Sequence, residues 1–295
     1  MKHDLCIYHA NCTDGVAAAW AVWSSGALGA EEFYPGVYGK PPPEVSGKHV
    51  VVVDFSYKYD VMVELARQAE SILVLDHHAT AREDLKRLTY ECSNVELHFD
   101  MGRCGALMAW DHFHPVGERP ALLREIDAHD RWLSTRDDKL IMALRSYPHS
   151  WGGRIAGSFT DLMHTWSWLM HEDTIGHLRR EGESIHRYYR QRVAECKTLA
   201  NTITLTNGGR YFRMPCVNGP YAMASDAGNE LANGSDVGMA AVWWVNSDRT
   251  VSFSLRSVEG QDVSSIARHY GGGGHACAAG FSTDLVLATA LLTVG

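Results

Sequence analysis

The sequence predicts an α/β protein with an N-terminal domain built on a parallel sheet, a long connecting helix and a smaller mixed α/β domain. Short, continuously apolar strands alternate with helical segments near the start of the chain, which is typical of a parallel sheet covered on both faces. A long charged segment with helical patterning follows, and strands return after it. We expect these three parts to cover residues 1–170, 171–200 and 201–295, since 295 residues suit two ordinary domains.

Three apolar strands are predicted at residues 5–8, 50–53 and 72–75, and ionisable residues follow each of them. Because the carboxyl ends of parallel strands meet at one edge, where ligands bind, these side chains should lie together. Carboxylates at short range raise one another's pKa values, and a bound cation is the usual compensation. Mixed carboxylate and imidazole ligands suit Mn²⁺, or Mg²⁺ with fewer histidines, and a shared carboxylate is a natural bridge between two metals. The residues concerned are His9, Asp14, Asp54, Asp76, His77 and His78.

Helices are predicted around these strands. An alanine-rich helix follows Gly15, and a second is expected over 57–69, where apolar and charged residues mix. A further helix over 121–126 leads directly to Asp127 and Asp130. Two aspartates three apart at a helix end are often only solvated, but beside the strand-end cluster they indicate a metal ligand.

Composition and charge limit the function. The formal net charge of −8 argues against binding of long nucleic acid along a basic surface, so a phosphate-bearing substrate would be held locally. The apolar runs are shorter than the ~18 residues of a membrane span, so no membrane partner is expected. The seven cysteines include no C-x-x-C pair, which favours reduced thiols and a cytoplasmic location.

The C-terminal part contains a predicted hairpin with strands at 239–245 and 250–256. Alternation along its second strand places Ser252, Ser254 and Arg256 on one face, where they would offer a guanidinium and two hydroxyls to a ligand. Four consecutive glycines then precede His275. Glycines permit close backbone approach and their N–H groups can bind an anion, so this run predicts phosphate binding. The residues are Gly271, Gly272, Gly273, Gly274 and His275.

These motifs, taken in order, resemble a known family. The set HANCTDG at 9–15, Asp54, Asp76-His77-His78 and Asp130 before Trp132 resembles the N-terminal motifs of the DHH phosphoesterase superfamily. The stretch GGGGHACAAGF at 271–281, preceded by SLRS at 254–257, is similar to the signature of the accompanying DHHA1 domain. The match covers most of the chain, and the chain is most similar to the nanoRNase and oligoribonuclease-like members.

The resemblance implies a DHH catalytic domain with two divalent metals, usually Mn²⁺, with Mg²⁺, Co²⁺ or Zn²⁺ as alternatives. Asp54 would bridge the metals, His78 would lie near the phosphate and leaving group, and Asp76 would orient the motif. Arg256, the glycine run and His275 of the DHHA1 domain would bind substrate across an interdomain cleft. The implied metal ligands are His9, Asp14, Asp54, His77 and Asp130, with Asp127 as the alternative to Asp130.

The first motif departs from the family pattern. Members commonly carry D-x-D-G, whereas this chain has Cys12 in the place of the first aspartate. Cys12 either binds the first metal as a thiolate, which would favour Zn²⁺, Fe²⁺ or Co²⁺, or it packs under the loop while His9, Asp54 and water complete the ligand shell. We favour packing, since nothing nearby in the sequence lowers the pKa of the thiol.

The expected function is hydrolysis of short RNA or DNA oligonucleotides, or of cyclic and linear dinucleotides, to mononucleotides by a two-metal mechanism. A pyrophosphatase or exopolyphosphatase activity is an alternative, because the same superfamily contains such enzymes. A non-catalytic nucleotide-sensing module is a second alternative, motivated by Cys12. Tyr221, Tyr270 and Phe281 are candidates for stacking on a base. Assembly as a monomer or a homodimer is left open.

Overall fold

The computed structural model describes residues 3–10, 12–147 and 157–293, so Asn11 of the first motif lies outside the described residues. The chain divides into two compact units, Met1–His186 and Arg187–Gly295. No helix among the described residues is both long enough and apolar enough to cross a membrane.

The first unit contains a five-stranded parallel sheet. Its strands are β1 (Leu5–His9), β2 (Phe33–Gly36), β3 (His49–Val53), β4 (Ser71–Asp76) and β5 (Val95–Phe99), in the order β2-β1-β3-β4-β5. The three predicted strands are β1, β3 and β4, which occupy the middle of the sheet. The strands β2 and β5 were not predicted, because each lies at an edge and carries few buried residues.

Both faces of this sheet are covered, as the apolar strands predict. Val51 and Val53 of β3 belong to one buried cluster, and Val50 and Val52 belong to another on the opposite face. The first cluster includes residues of α1, α5 and α6, and the second includes residues of α2. The helices of this unit are α1 (Thr13–Ser24), α2 (Tyr59–Gln68), α3 (Ala79–Leu85), α4 (Leu88–Glu91), α5 (Gly105–Phe113), α6 (Ala121–Asp130), α7 (Asp138–Leu144) and α8 (Phe159–Leu169).

A single long helix, α9 (Glu172–Thr198), occupies the region predicted for the connecting helix, and the boundary between the two units falls within it. Its N-terminal half is held to the first unit by Arg179, which forms ion pairs with Glu125 at 2.8 Å and with Asp137 at 3.0 Å. A Cβ atom on Gly182 would lie 2.0 Å from the carbonyl oxygen of Lys139, so only glycine permits this close packing of the helix.

The second unit is built on a six-stranded mixed sheet in the order β10-β11-β9-β8-β7-β6, in which only β7 and β8 are parallel neighbours. The predicted hairpin is present as β8 and β9. The strands are β6 (Asn201–Asn207), β7 (Arg210–Asn218), β8 (Met239–Val245), β9 (Val251–Ser257), β10 (Gly273–His275) and β11 (Ala278–Thr283). The helices are α10 (Ala224–Asn233), α11 (Val263–His269) and α12 (Leu285–Thr293). The predicted mixed α/β class is therefore confirmed for this unit.

Candidate metal centre

The carboxyl edge of the parallel sheet brings together side chains from five separate segments. His9 ends β1, Asp54 follows β3 and His77 follows β4, while Asp14 lies in the first turn of α1 and Asp130 is the last residue of α6. All five had been predicted as ligands from the strand-end positions or from the family resemblance. The structure places them in one cluster around the imidazole of His77.

His77 contacts three carboxylates through one nitrogen. Its Nε2 atom lies 3.2 Å from Oδ1 of Asp54, 3.4 Å from Oδ2 of Asp130 and 3.6 Å from Oδ2 of Asp14. Burial lowers the pKa of His77, but these three carboxylates outweigh it and raise the pKa to about 9. In the absence of a metal, the proton on His77 therefore supplies the positive charge that this cluster needs.

Asp54 is, with Asp14, one of the two most deeply buried members of the cluster. Only 1% of it is exposed, and its backbone adopts a left-handed conformation with φ 53°. Its Oδ1 atom faces His77, whereas its Oδ2 atom lies 3.4 Å from Nδ1 of His9. Burial raises the pKa of Asp54, but the contacts with His77 and His9 dominate and hold the pKa below its usual range. Neither oxygen of Asp54 makes a hydrogen bond within the described part of the chain, and the same holds for Nδ1 of His9.

Asp14 is held in place by the start of α5. Its two oxygens accept hydrogen bonds from the backbone N–H groups of Gly105 and Ala106 at 2.7 and 2.9 Å. The N-terminus of a helix carries unpaired N–H groups and a partial positive charge, so it stabilises a carboxylate there. Burial, followed by the charges of Asp54 and Asp130, nevertheless raises the pKa of Asp14 well above its usual value. The hydrogen-bond donors and the positive charge of the protein therefore do not fully offset the negative charge of the carboxylates in this site.

Two glycines make these close approaches possible. A Cβ atom on Gly105 would lie 2.4 Å from Cβ of Asp54, and one on Gly15 would lie 2.1 Å from the carbonyl oxygen of His9. No side chain fits at either position without moving the backbone beside it. Gly105 therefore allows α5 to begin against Asp54, and Gly15 allows α1 to begin against the end of β1.

His78 and Asp76 form a second layer beside the cluster. The Nδ1 atom of His78 lies 2.6 Å from Oδ1 of Asp76, and Ser56 donates a hydrogen bond of 2.6 Å to the other oxygen. Asp76 is fully buried, and its Oδ1 atom also accepts the backbone N–H of His77 at 2.7 Å. Its contact raises the pKa of His78, which favours a protonated ring. The geometry agrees with the orienting role that the resemblance implies for Asp76.

Asp127 and Asp130, the two alternatives of the fourth motif, occupy different environments. Asp127 accepts two hydrogen bonds from Arg131, at 2.9 and 2.8 Å, and one from the backbone N–H of Cys104 at 2.7 Å. Its oxygens are thus engaged in holding the start of α5. Asp130 instead faces His77, and burial followed by the charge of Asp54 raises its pKa. This arrangement favours Asp130 as the metal ligand.

The residues present fit a divalent cation. Three sets of side chains place potential ligand atoms within 4.8 Å of one another, and Asp54 belongs to two of them. The sets are His9, Cys12 and Asp54; Asp54, His77 and His78; and Asp14, His77 and Asp130. Oxygen and imidazole ligands in this number are typical of Mn²⁺ and other first-row metals.

Cys12 lies directly before α1, beside His9 and Asp54. Burial raises the pKa of its thiol, and the charges of Asp54 and Asp14 raise it further. The sulfur is therefore protonated in the metal-free protein. It still lies within ligand distance of the other two groups, so packing and metal binding are both compatible with its position.

In the second unit, Arg256 of β9 is held by neighbouring hydroxyls. It donates hydrogen bonds to Ser254 Oγ at 2.9 Å and to Ser225 Oγ at 2.8 Å, which fix the guanidinium while leaving it only half-buried. Ser252 is engaged elsewhere, with Asn246 and Ser282. The predicted face of β9 is present, but one of its two hydroxyls contacts Arg256 and the other does not.

The glycine run differs from the anion-binding loop that the sequence predicts. The N–H of Gly271 donates to Arg268 at 3.0 Å, and that of Gly272 donates to Ala267 at 2.9 Å, both at the end of α11. Gly273 and Gly274 then belong to β10, paired with β11, and His275 is exposed at its end. The N–H groups of Gly271 and Gly272 are therefore used within the fold. Gly272 must also be a glycine, because a Cβ there would lie 2.1 Å from the carbonyl oxygen of Gly280.

Comparison with known families assigns this second unit. Residues 219–292 match the model of the DHHA1 domain. The chain carries a DHHA1 domain. A protein of Acanthamoeba polyphaga mimivirus, described as uncharacterized, is 26% identical over 300 residues, which cover 95% of this chain and 67% of that protein.

Two solved structures resemble the whole chain. RecJ from Thermus thermophilus, in complex with Mn²⁺, aligns with a TM-score of 0.51 and 14% identity over 99% of this chain and 51% of RecJ. The pGpG-specific phosphodiesterase PggH from Vibrio cholerae aligns with a TM-score of 0.48 and 14% identity, covering 99% of this chain and 96% of PggH. The chain spans about half the length of RecJ, and that likeness shows a shared fold. The DHHA1 match confirms the resemblance predicted for the C-terminal part of the chain.

The aromatic candidates of the DHHA1 domain separate by exposure. Tyr270 and Phe281 stack on each other at 4.6 Å, and Phe281 is buried in the core. Tyr221 is 76% exposed and contacts only the edge of Trp244, at 5.4 Å between ring centroids. Of the three, Tyr221 is the most exposed.

Sequence reasoning missed several residues of the metal centre. Gly105 and Ala106 bind Asp14 through backbone N–H groups, and Ser56 binds Asp76. Tyr38, which is half exposed, packs its ring 5.3 Å from that of His9. Ser56 stands two residues after Asp54, so its position could have been noticed. The contacts of the other three depend on tertiary packing that no local pattern reveals.

Proposed function

We propose that this protein is a metal-dependent phosphodiesterase that hydrolyses short oligonucleotides, or cyclic and linear dinucleotides, to mononucleotides. The observation that carries the proposal is the buried carboxylate of Asp54. Its oxygens face His77 on one side and His9 on the other, and neither makes a hydrogen bond with any described residue. Burying a charge without hydrogen bonds is costly, so such a group is normally found where a cation binds.

In the proposed centre Asp54 would be shared by two divalent cations. His9 and Asp54 would hold one, and Asp14, His77 and Asp130 would hold the other beside Asp54. The RecJ structure that shares this fold contains Mn²⁺, which supports manganese as the metal. Metals bound in this way lower the pKa of water towards neutrality and neutralise charge that develops on a phosphate.

His78 is proposed to contact the substrate phosphate and leaving group. Asp76 fixes its ring through Nδ1, so Nε2 is left to donate a hydrogen bond to a phosphate oxygen. The hydrogen bond to Asp76 raises the pKa of His78 and so favours the protonated ring, which stabilises negative charge as a positive donor. His78 would thus be catalytic, whereas Asp76 would be a positioning residue.

The proposed substrates are small. With a formal net charge of −8, the protein offers long nucleic acid little general attraction. The DHHA1 domain offers a specific cation in Arg256, fixed by Ser254 and Ser225, and an exposed ring in Tyr221. A guanidinium and an aromatic ring are suited to a phosphate and a base of a short nucleotide.

The test is an assay of purified, metal-stripped protein reloaded with Mn²⁺. Fluorescent RNA of two or three nucleotides, a cyclic dinucleotide, pyrophosphate and polyphosphate should be compared under the same conditions. Mononucleotide release from the first two supports the proposal. Release of phosphate from pyrophosphate or polyphosphate alone would contradict it and indicate a phosphoanhydride hydrolase, while nucleotide binding without turnover of any substrate would indicate a sensing module.

A matched pair of variants ties the activity to the centre. Asp54→Asn should abolish turnover, whereas Asp60→Asn, an exposed substitution on α2, should leave it unchanged. Activity that survives Asp54→Asn at its original level would show that turnover arises elsewhere or from a contaminant.

A further inference from the structure

Cys12 occupies a position within ligand distance of two other potential metal ligands. It is the residue before α1, with an extended backbone (φ −121°, ψ 137°), and its side chain makes no capping hydrogen bond. Its sulfur lies within 4.8 Å of ligand atoms of both His9 and Asp54. A cysteine that served only to pack would not need two ionisable neighbours at this range.

A second, independent observation points to a ligand at the same place. Asp54 is 1% exposed and neither of its oxygens makes a hydrogen bond among the described residues; nor does Nδ1 of His9, which faces Oδ2 of Asp54 at 3.4 Å. A carboxylate, an imidazole nitrogen and a sulfur therefore converge, and among the described residues the first two have ion-pair contacts but no hydrogen bond. Buried polar groups left unpaired in this way are costly unless something binds them.

We propose that Cys12 is a metal ligand, and that His9, Cys12 and Asp54 form a subsite selective for a thiophilic divalent cation, namely Zn²⁺, Fe²⁺ or Co²⁺. The proposal rests on the proposed metal centre and implies that its two subsites prefer different metals. The subsite of Asp14, His77 and Asp130 contains only oxygen and nitrogen ligands and takes Mn²⁺ or Mg²⁺.

Sulfur changes the chemistry of the subsite in a defined way. A thiol binds as a thiolate, so its proton is released to solvent as the cation enters. Because burial and the charges of Asp54 and Asp14 raise the pKa of the thiol in the metal-free protein, the entering cation itself must favour loss of the proton. A thiolate is a softer ligand than the aspartate that the family commonly has here, which shifts selectivity away from Mn²⁺ and Mg²⁺.

Titration of the metal-free protein with Co²⁺ tests the proposal without relying on activity. A cobalt–thiolate bond gives a charge-transfer absorption in the near ultraviolet that oxygen and nitrogen ligands do not give. The wild-type protein and Cys92→Ser, a control cysteine in the same unit, should both show it. Cys12→Ser should lose the band and bind Zn²⁺ more than about tenfold more weakly. Loss of a residue that only hydrogen-bonds to a metal ligand already lowers metal affinity by about tenfold or more. Cys12→Asp should lack the band and bind Mn²⁺ more tightly.

The outcomes separate this proposal from the one on which it rests. Co²⁺ binding by the wild-type protein without the band would overturn the role of Cys12 and leave the metal centre standing. Absence of any Co²⁺, Zn²⁺ or Mn²⁺ binding would overturn both.

A second measurement covers the case in which Cys12→Ser does not fold. Wild-type protein is alkylated with and without Zn²⁺, and each cysteine is followed by peptide mass spectrometry. Zn²⁺ should protect Cys12 and leave labelling of the exposed Cys277 unchanged. Equal labelling of Cys12 in both samples would overturn the proposal.

Discussion

The carboxylate of Asp54 lies between two imidazoles, with Oδ1 at 3.2 Å from Nε2 of His77 and Oδ2 at 3.4 Å from Nδ1 of His9. The three residues follow three different strands of the sheet. One carboxylate thus spans the ends of three strands, an arrangement that suits a bridge between two cations better than an ion pair with one partner.

Replacement of this carboxylate by an amide is the most direct test of the bridge. Asp54→Asn should lower kcat by more than about a hundredfold, because a neutral amide cannot replace a carboxylate that two cations share. The metals would then no longer be held where they stabilise the charge of the transition state. It should also reduce the bound metal from two equivalents, as measured by elemental analysis after equilibrium dialysis. Asp60→Asn is the control. Full metal content and activity in Asp54→Asn would place the bridge at another residue.

The close packing of the start of α5 predicts that substitution of Gly105, which has no side chain, also weakens metal binding. Gly105→Ala would place a methyl group 2.4 Å from Cβ of Asp54 and displace either Asp54 or the N–H groups that bind Asp14. We expect weaker Mn²⁺ binding in calorimetry and a lower melting temperature.

The control for this prediction is Gly176→Ala in α9. A Cβ there would meet only the guanidinium of Arg180, at 3.7 Å, and alanine favours a helix over glycine by up to about 1 kcal/mol. Its stability should be equal or higher. Equal metal affinity in Gly105→Ala and the wild-type protein would show that the start of α5 does not position the ligands.

The strand-end rule explains why much of this centre was predictable. His9, Asp54 and His77 each follow an apolar strand, so their convergence depends only on the strands being parallel neighbours. The contacts of Asp14 do not follow from any local pattern, because Gly105 lies 91 residues away and reaches it only when α5 packs beside α1. The choice between Asp127 and Asp130 likewise depends on Arg131, whose guanidinium binds Asp127.

At the glycine run, the sequence pattern fits two different physical roles. Four glycines in a row indicate backbone freedom, yet Gly272 is required by the close approach of Gly280, and Gly273 continues into β10. The same composition serves a tight strand pairing as well as an anion-binding loop. Only the sheet register distinguishes the two.

The two aspartates of α6 should respond to substitution in opposite ways. Asp127→Ala removes the acceptor for Arg131 and for the N–H of Cys104, so it should lower the free energy of unfolding by about 1 to 3 kcal/mol. Asp130→Ala should leave stability nearly unchanged and reduce metal binding and turnover. Thermal unfolding and metal titration of both variants make the comparison. Loss of metal binding in Asp127→Ala without loss of stability would reverse the assignment.

Metal affinity should increase with pH. The pKa of His77 is about 9 without metal, so the ring is protonated at neutral pH, and a cation must displace that proton to bind. The raised pKa values of Asp14 and Asp130 act in the same direction. Mn²⁺ affinity measured by calorimetry should therefore rise as the pH approaches about 9, and the heat should depend on the ionisation enthalpy of the buffer. Affinity that is constant over this range would show that His77 binds no metal.

Arg256 is predicted to bind substrate and to take no part in metal binding. Arg256→Ala should raise KM for di- and trinucleotides by about tenfold or more, since a charge-assisted contact to phosphate is lost. Its metal content should equal that of the wild-type protein. Arg249→Ala, in the exposed turn between β8 and β9, is the control. A chromogenic phosphodiester that carries only one phosphate is the second readout, because it offers no additional phosphate for Arg256 to bind. If Arg256→Ala weakens turnover of this minimal substrate as much as that of dinucleotides, the residue supports the fold of the DHHA1 domain and does not recognise a substrate phosphate.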